Sequence, residues 1–156
     1  MSTFDTSSFL DFTTTEESVK RPPLPAGDYT GVIGDITVSD WVSRDDPTKA
    51  GKKFEVALTV DVPGDIAAEV GLLEPTLKMK DSVMLDLTES GSLDYGVGKN
   101  AKLRKYREAT GNNVAGKPFN PRMLIGNVVT VKVNHREYPV GSGELFENVL
   151  GVAPHA

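Results

Sequence analysis

The sequence predicts a mostly β protein: a five-stranded Greek-key barrel of the OB type, with one helix between strands 3 and 4 and an extended N-terminal arm. Three observations predict it. Runs of alternating apolar and polar residues recur along the chain, bounded by turn residues. One helical stretch, GKNAKLRKYREATG, stands after the third such run. The 15 glycines and 10 prolines among 156 residues supply the turns a β-rich chain needs. Strand, strand, strand, helix, strand, strand is the element order of a five-stranded OB barrel. An immunoglobulin-like sandwich needs more strands and no central helix.

Residues 1–26 read as the arm. Ser, Thr and acidic residues dominate it, and Pro22, Pro23 and Pro25 hold its end extended and non-helical. Phe4, Phe9, Leu10 and Phe12 interrupt the polarity, which predicts docking on the domain itself or on a neighbouring subunit. The domain, 27–156, opens with GDYTGVIGDITV, whose β-branched residues and three glycines fit a strongly bent strand. In KKFEVALTVDV, Phe54, Val56, Leu58, Val60 and Val62 share one face. DIAAEVGLLEP predicts a short helix capped by Asp65, striped by Ile66, Val70 and Leu73, and ended by Pro75. TLKMKDSVMLDL alternates with Leu77, Met79, Val83, Leu85 and Leu87 inward, and Asp81 breaks that row as at a bulge. In the basic helix, Asn100 is the expected start cap and Gly111 the end. Leu103, Tyr106 and Ala109 face the core, so the helix plugs the barrel and its cations form the solvated side. LIGNVVTVKVNHREY and LFENVLGVA are the last two strands, joined through YPVGSGE.

Composition narrows the function. The formal net charge of -5 argues against sequence-blind DNA binding over the whole surface but leaves room for a local basic groove. With no cysteine, disulfides and thiolate metal sites are excluded. The N-terminus lacks a basic segment followed by an apolar run, so it does not read as a signal peptide. No stretch reaches the roughly 18 apolar residues of a membrane span. A chain without a membrane partner and located in the cytoplasm is expected.

PPLPAGDYTGVI, a strand led by Gly-Lys-Lys, GKNAKLRKYREATG, LIGNVVTVKV and ENVLGV together resemble a family of small phage-encoded proteins described as single-stranded-DNA-binding-like. The resemblance covers 22–153. It implies an OB-like fold and binding of single-stranded DNA during phage DNA replication and recombination, inside the infected bacterial host. Phage replication or recombination proteins are the implied partners. Many single-strand-binding proteins recruit partners through an acidic C-terminal tail, whereas this chain ends GVAPHA.

OB barrels bind oligomers across strands 2 and 3, between the loops joining strands 1–2 and 4–5. The first of those loops carries Trp41, Arg44, Lys49, Lys52 and Lys53; strand 3 carries Lys78 and Lys80 outward; the last hairpin carries Arg136 and Tyr138. Aromatic rings stack bases and cations follow the phosphates, which makes these nine residues the expected nucleic-acid site. The opposite reading stands beside it. Asp40, Asp45, Asp46 and Glu137 dilute the field, Trp41 can equally pack on the barrel, and Lys78 and Lys80 can simply protect an outer strand face.

No catalysis, metal or cofactor is expected. His135 and His155 lack the spacing of a helical metal site, and Asp45 with Asp46 fits a turn. YGVGKN lacks the Lys-Ser/Thr of a phosphate-binding loop, and GSG at Ser142 is a hairpin turn. The competing function is structural: a virion component, such as a capsid decoration or scaffold protein, that clamps neighbouring subunits into a homo-oligomer through its arm.

Overall fold

Period-2 alternation becomes five strands in the computed structural model, which describes residues 10–155. Strands β1 (Gly27–Val42), β2 (Ala50–Asp61), β3 (Thr76–Met84), β4 (Val128–Glu137) and β5 (Leu145–Pro154) form one antiparallel sheet in the order β3-β2-β1-β4-β5. Helix α1 (Gly64–Val70) joins β2 to β3, and α2 (Ala101–Ala109) lies in the long β3–β4 connection, ahead of a 3-10 turn at Pro121–Leu124. Phe54, Val56, Leu58 and Val60 of β2 meet Tyr29 and Ile33 of β1 and Val129, Val131 and Val133 of β4 in one apolar core.

The sheet is open, which corrects the expected closed barrel. Its edges, β3 and β5, share no ladder. Helix α2 packs against both of them. The Tyr106 hydroxyl donates to Asp81 Oδ2 at 2.6 Å and Lys102 Nζ to Asp81 Oδ1 at 2.5 Å. Side chains of the helix occupy the space between the edges in place of backbone hydrogen bonds.

Two glycines of β1 do separate work. Gly31 lies where three strands approach closely: a Cβ there would sit 2.6 Å from Val131 Cγ2 and 3.3 Å from the Thr59 carbonyl oxygen. Gly31→Ala is expected to cost about 1–3 kcal/mol through overpacking, read as a lower urea midpoint at unchanged slope. Gly34 is the extra residue of a bulge, since the β1–β2 register shifts between Ile33 and Asp35. The bulge inverts the strand's alternation. Before it, Tyr29, Gly31 and Ile33 face inward; after it, Ile36 and Val38 lie opposite Val56 and Phe54.

Several expected details are corrected. Asp81 breaks no register: β3 runs in step with β2 from Thr76 to Met84, and Asp81 is buried in the inward row. Asn100 does not cap α2 with its side chain. It holds a left-handed backbone (φ 50) while its amide binds the backbone of Asp86 and Asp94. Helix α1 has Pro63, not Asp65, at its N-cap, and Leu73 lies exposed beyond the left-handed Gly71 that ends it.

Burial, then the charge and hydrogen bond of Asp81, push the Tyr106 hydroxyl far above its ordinary range. Burial also raises Tyr29. A folded-state pKa above the unfolded value means the contribution is complete below about pH 10, where unfolded tyrosine titrates, and is lost as pH rises beyond it. Stability should therefore fall between about pH 10 and 11.5 by up to about 1.4 kcal/mol per pH unit from Tyr106. Urea unfolding across that range checks this, and Tyr106→Phe should flatten the decline.

Candidate nucleic-acid interface

The bulge at Gly34 decides what the outer face of the sheet carries. Directly opposed residues share a face, so Trp41 with Gly51, Ser39 with Lys53 and Thr37 with Glu55 lie on the side away from Val56 and Phe54. The pairing of β2 with β3 continues that face through Glu55 with Ser82, Ala57 with Lys80 and Thr59 with Lys78. Trp41, Lys53, Lys80 and Lys78 thus stand on one surface spanning β1, β2 and β3.

Trp41 is half-buried, its indole laid over Gly51, where a Cβ would meet the ring at 2.9–3.1 Å. Its Nε1 is buried and makes no hydrogen bond. One side of the ring is therefore committed to packing. Lys53 is bonded to Glu55 at 2.9 Å. Glu55 is held below its ordinary value by the Lys53 hydrogen bond, against a desolvation that raises it, with Ser82, the Lys53 charge and Lys80 adding to the lowering. Lys78 and Lys80 are exposed and, among the described residues, have no carboxylate within bridging distance. Arg44 and Lys49 are exposed in the β1–β2 loop, whose turn is shaped by hydrogen bonds from Thr48 to the Asp46 carboxylate. Lys52 takes the other direction: one position from Lys53, it shares the face of Phe54 and bonds Asp40 at 2.6 Å.

Arg136 and Tyr138, both exposed, line a shallow cleft of about 260 Å³ with Phe146, Glu147 and Asn148. A second cleft of about 260 Å³ lies between β3 and β5, lined by Arg21, Lys78, Lys80, Glu147 and Asn148 among others. Glu147 and Asn148 line both, so β5 forms a wall common to the two clefts. Sequence reading missed Arg21, Phe146, Glu147 and Asn148, because the meeting of β3 with β5 follows from the sheet order and not from any local pattern.

The end of the arm reaches the same place. Leu24 is wholly buried, its carbonyl 2.8 Å from His135 Nε2. Arg21 pairs with Glu147, while Lys20 bonds the Leu145 carbonyl and sits 3.7 Å from the centre of the Phe146 ring. Docking of this end on its own domain is thus observed. Leu10 and Phe12 are exposed on this chain, and Phe4 and Phe9 lie outside the described residues.

Three cations of the basic helix α2, expected to form its solvated side, are engaged by partners. Lys102 is bound to Asp81, Arg104 lies 3.5 Å from Glu108, and the Arg107 guanidinium stacks 4.3 Å from the Phe119 ring centre. Lys102 and Arg107 thus tie the helix to its surroundings, while the Arg104–Glu108 pair lies within it. Among the described residues no group of three or more His, Asp or Glu side chains converges as a metal site would, and no helix is long and apolar enough to cross a membrane. The chain matches no protein-family model, and no curated protein matches it.

Proposed function

We propose that this protein binds single-stranded DNA with little sequence preference, as a phage protein of DNA replication and recombination acting in the infected host's cytoplasm. The observation that carries the reading is the shared outer face: an aromatic residue, Trp41, and the cations Lys53, Lys78 and Lys80 stand on one surface, and Arg136 and Tyr138 line a cleft whose β5 wall also lines the cleft of Lys78 and Lys80. Extended single strands need this combination of a stacking ring and a track of cations. The strand order and the placement of α2 between β3 and β4 support an OB-like Greek-key arrangement, left unzipped between β3 and β5. Of the two expected stacking rings Tyr138, with 61% of its surface exposed, is the more available, and Trp41 offers its outer side. Each stacked base contributes about 1–3 kcal/mol. Arg44 and Lys49 extend the cationic track along the loop.

The test is fluorescence anisotropy of a labelled oligothymidine titrated with the protein at low and moderate salt, with duplex competitor. Expected is saturable binding that salt weakens and duplex does not displace, with quenching of Trp41. No binding at low salt would sink the reading.

The exposure of Leu10, Phe12 and Val19 on the arm supports a second reading, a virion structural protein whose arm grips a neighbouring subunit. Its mark is an oligomer without DNA that deletion of residues 1–19 abolishes.

A further inference from the structure

We propose that the end of the arm is a wall of the single-strand groove, with Arg21 a positioning residue that masks the Glu147 carboxylate from the phosphate path and Lys20 a cation held at the groove's mouth. This inference rests on the single-strand reading above.

Glu147 is an awkward residue for a groove that is to carry phosphates. It shares the cleft between β3 and β5 with Lys78 and Lys80, so a strand whose phosphates follow those lysines meets it. Its side chain retains 12% exposure, enough to project charge and too little for water to screen it fully. Arg21 is bound directly to it. Burial would raise the acid's pKa, but the Arg21 hydrogen bond, a backbone bond and the charges of Arg21 and Lys20 hold it below the ordinary range. It is an ionised group neutralised from one side by the arm. The Arg21 side chain keeps 33% of its exposure and stays available at the cleft surface.

The delivery of these two cations is built into the chain. Pro22, Pro23 and Pro25 hold an extended backbone, the buried Leu24 anchors it, and the Tyr29 hydroxyl donates to the Pro25 carbonyl at 2.6 Å. Lys20 is then fixed twice, by the Leu145 carbonyl and by the Phe146 ring. Phe146 is accordingly a seat for a cation, while stacking falls to Tyr138 and Trp41. Remove Arg21, and two lysines of β3 face an open carboxylate.

The experiment is oligothymidine anisotropy on four full-length proteins, the wild type, Arg21→Gln, Glu147→Gln and the double variant, each at two salt concentrations with its melting temperature recorded. One unmasked charge beside the phosphates should weaken Arg21→Gln binding about tenfold at low salt. The double variant should return to within about threefold of wild type, since the loss lies in the exposed carboxylate rather than in a missing Arg21 contact. Arg21→Gln binding like wild type would overturn the inference. So would a folded double variant that binds no better than Arg21→Gln. If Arg21→Gln does not fold, Glu147→Gln still decides: it should bind at least as tightly as wild type, and weaker binding by the folded variant overturns the proposal. Absence of binding by the wild type itself would instead remove the single-strand reading on which the inference stands.

Discussion

Lys102→Met will lower stability by about 1–3 kcal/mol, the cost of leaving a buried acceptor without a donor, less than for a fully buried pair because solvent still reaches the lysine. Asp81 has 4% of its surface exposed and stands in the inward row of β3 between Met79 and Val83. Two donors compensate its burial, the Tyr106 hydroxyl at 2.6 Å and the Lys102 ammonium at 2.5 Å. The ammonium also donates to the Ser82 carbonyl at 2.9 Å, which ties α2 to β3 where the sheet is unzipped. The lysine itself keeps 39% exposure, so its desolvation is the smaller part and the carboxylate bears most of the penalty when the pair is broken. The measurement is urea unfolding followed by far-UV circular dichroism. Asp81→Asn in the Lys102→Met background should recover most of the loss, because a neutral amide can still accept the Tyr106 hydrogen bond. A double variant as unstable as the single one would mean that the charge on Asp81 is not what Lys102 offsets.

Changing Lys78, Lys80 and Arg136 together to Ala should weaken single-strand binding on the order of a hundredfold at about 0.1 M salt. The salt dependence says more than the affinity. Each phosphate contact to a single strand contributes about 0.7 to the slope of log K against log salt, so three lost contacts make it shallower by about 2. All three side chains are exposed, and none is paired with a carboxylate among the described residues, so the fold should be untouched. Lys52 is the natural comparison, because it lies on the opposite face and Asp40 already balances it. An unchanged slope in the triple variant, with wild-type binding intact, would move the strand's path off β3 and the last hairpin.

What the sequence disclosed depended on how locally each feature is determined. β2 was legible because its alternation is unbroken, and α2 because Leu103, Tyr106 and Ala109 repeat at helical spacing. The face of Trp41 was not legible. It has the same odd parity as the inward Tyr29 and Ile33, and only the extra residue at Gly34 turns it outward. Asp81 looked like an interruption because its partners come from a helix 21 and 25 positions away. Lys78 and Lys80 could be assigned to an outward face from alternation alone, yet the groove that gives them neighbours on β5 exists only in three dimensions. Local periodicity therefore gave the elements and five strands, while closure of the sheet was decided by what α2 places between its edges.

Strand β1 also outlasts its neighbour. Its pairing with β4 stops at Val32, with Ile33 bonded to the turn at Gly126 and Asn127, while its pairing with β2 continues to Val42. From Asp35 onward the strand is held on one side only, by β2, which β3 in turn backs as far as Lys52; Trp41, Arg44 and Lys49 lie at or beyond that limit, on the last β1–β2 pairs and their loop. The sheet thus has two mechanical regimes. The root is a sheet at least three strands wide; the overhang at Trp41 and its loop is held by a single row of cross-ties. Arg44 and Lys49 thus stand on the least supported part of the sheet, whereas Lys78 and Lys80 stand on a strand laddered to β2 along its whole length, so fraying of the loop leaves the β3 cations in place.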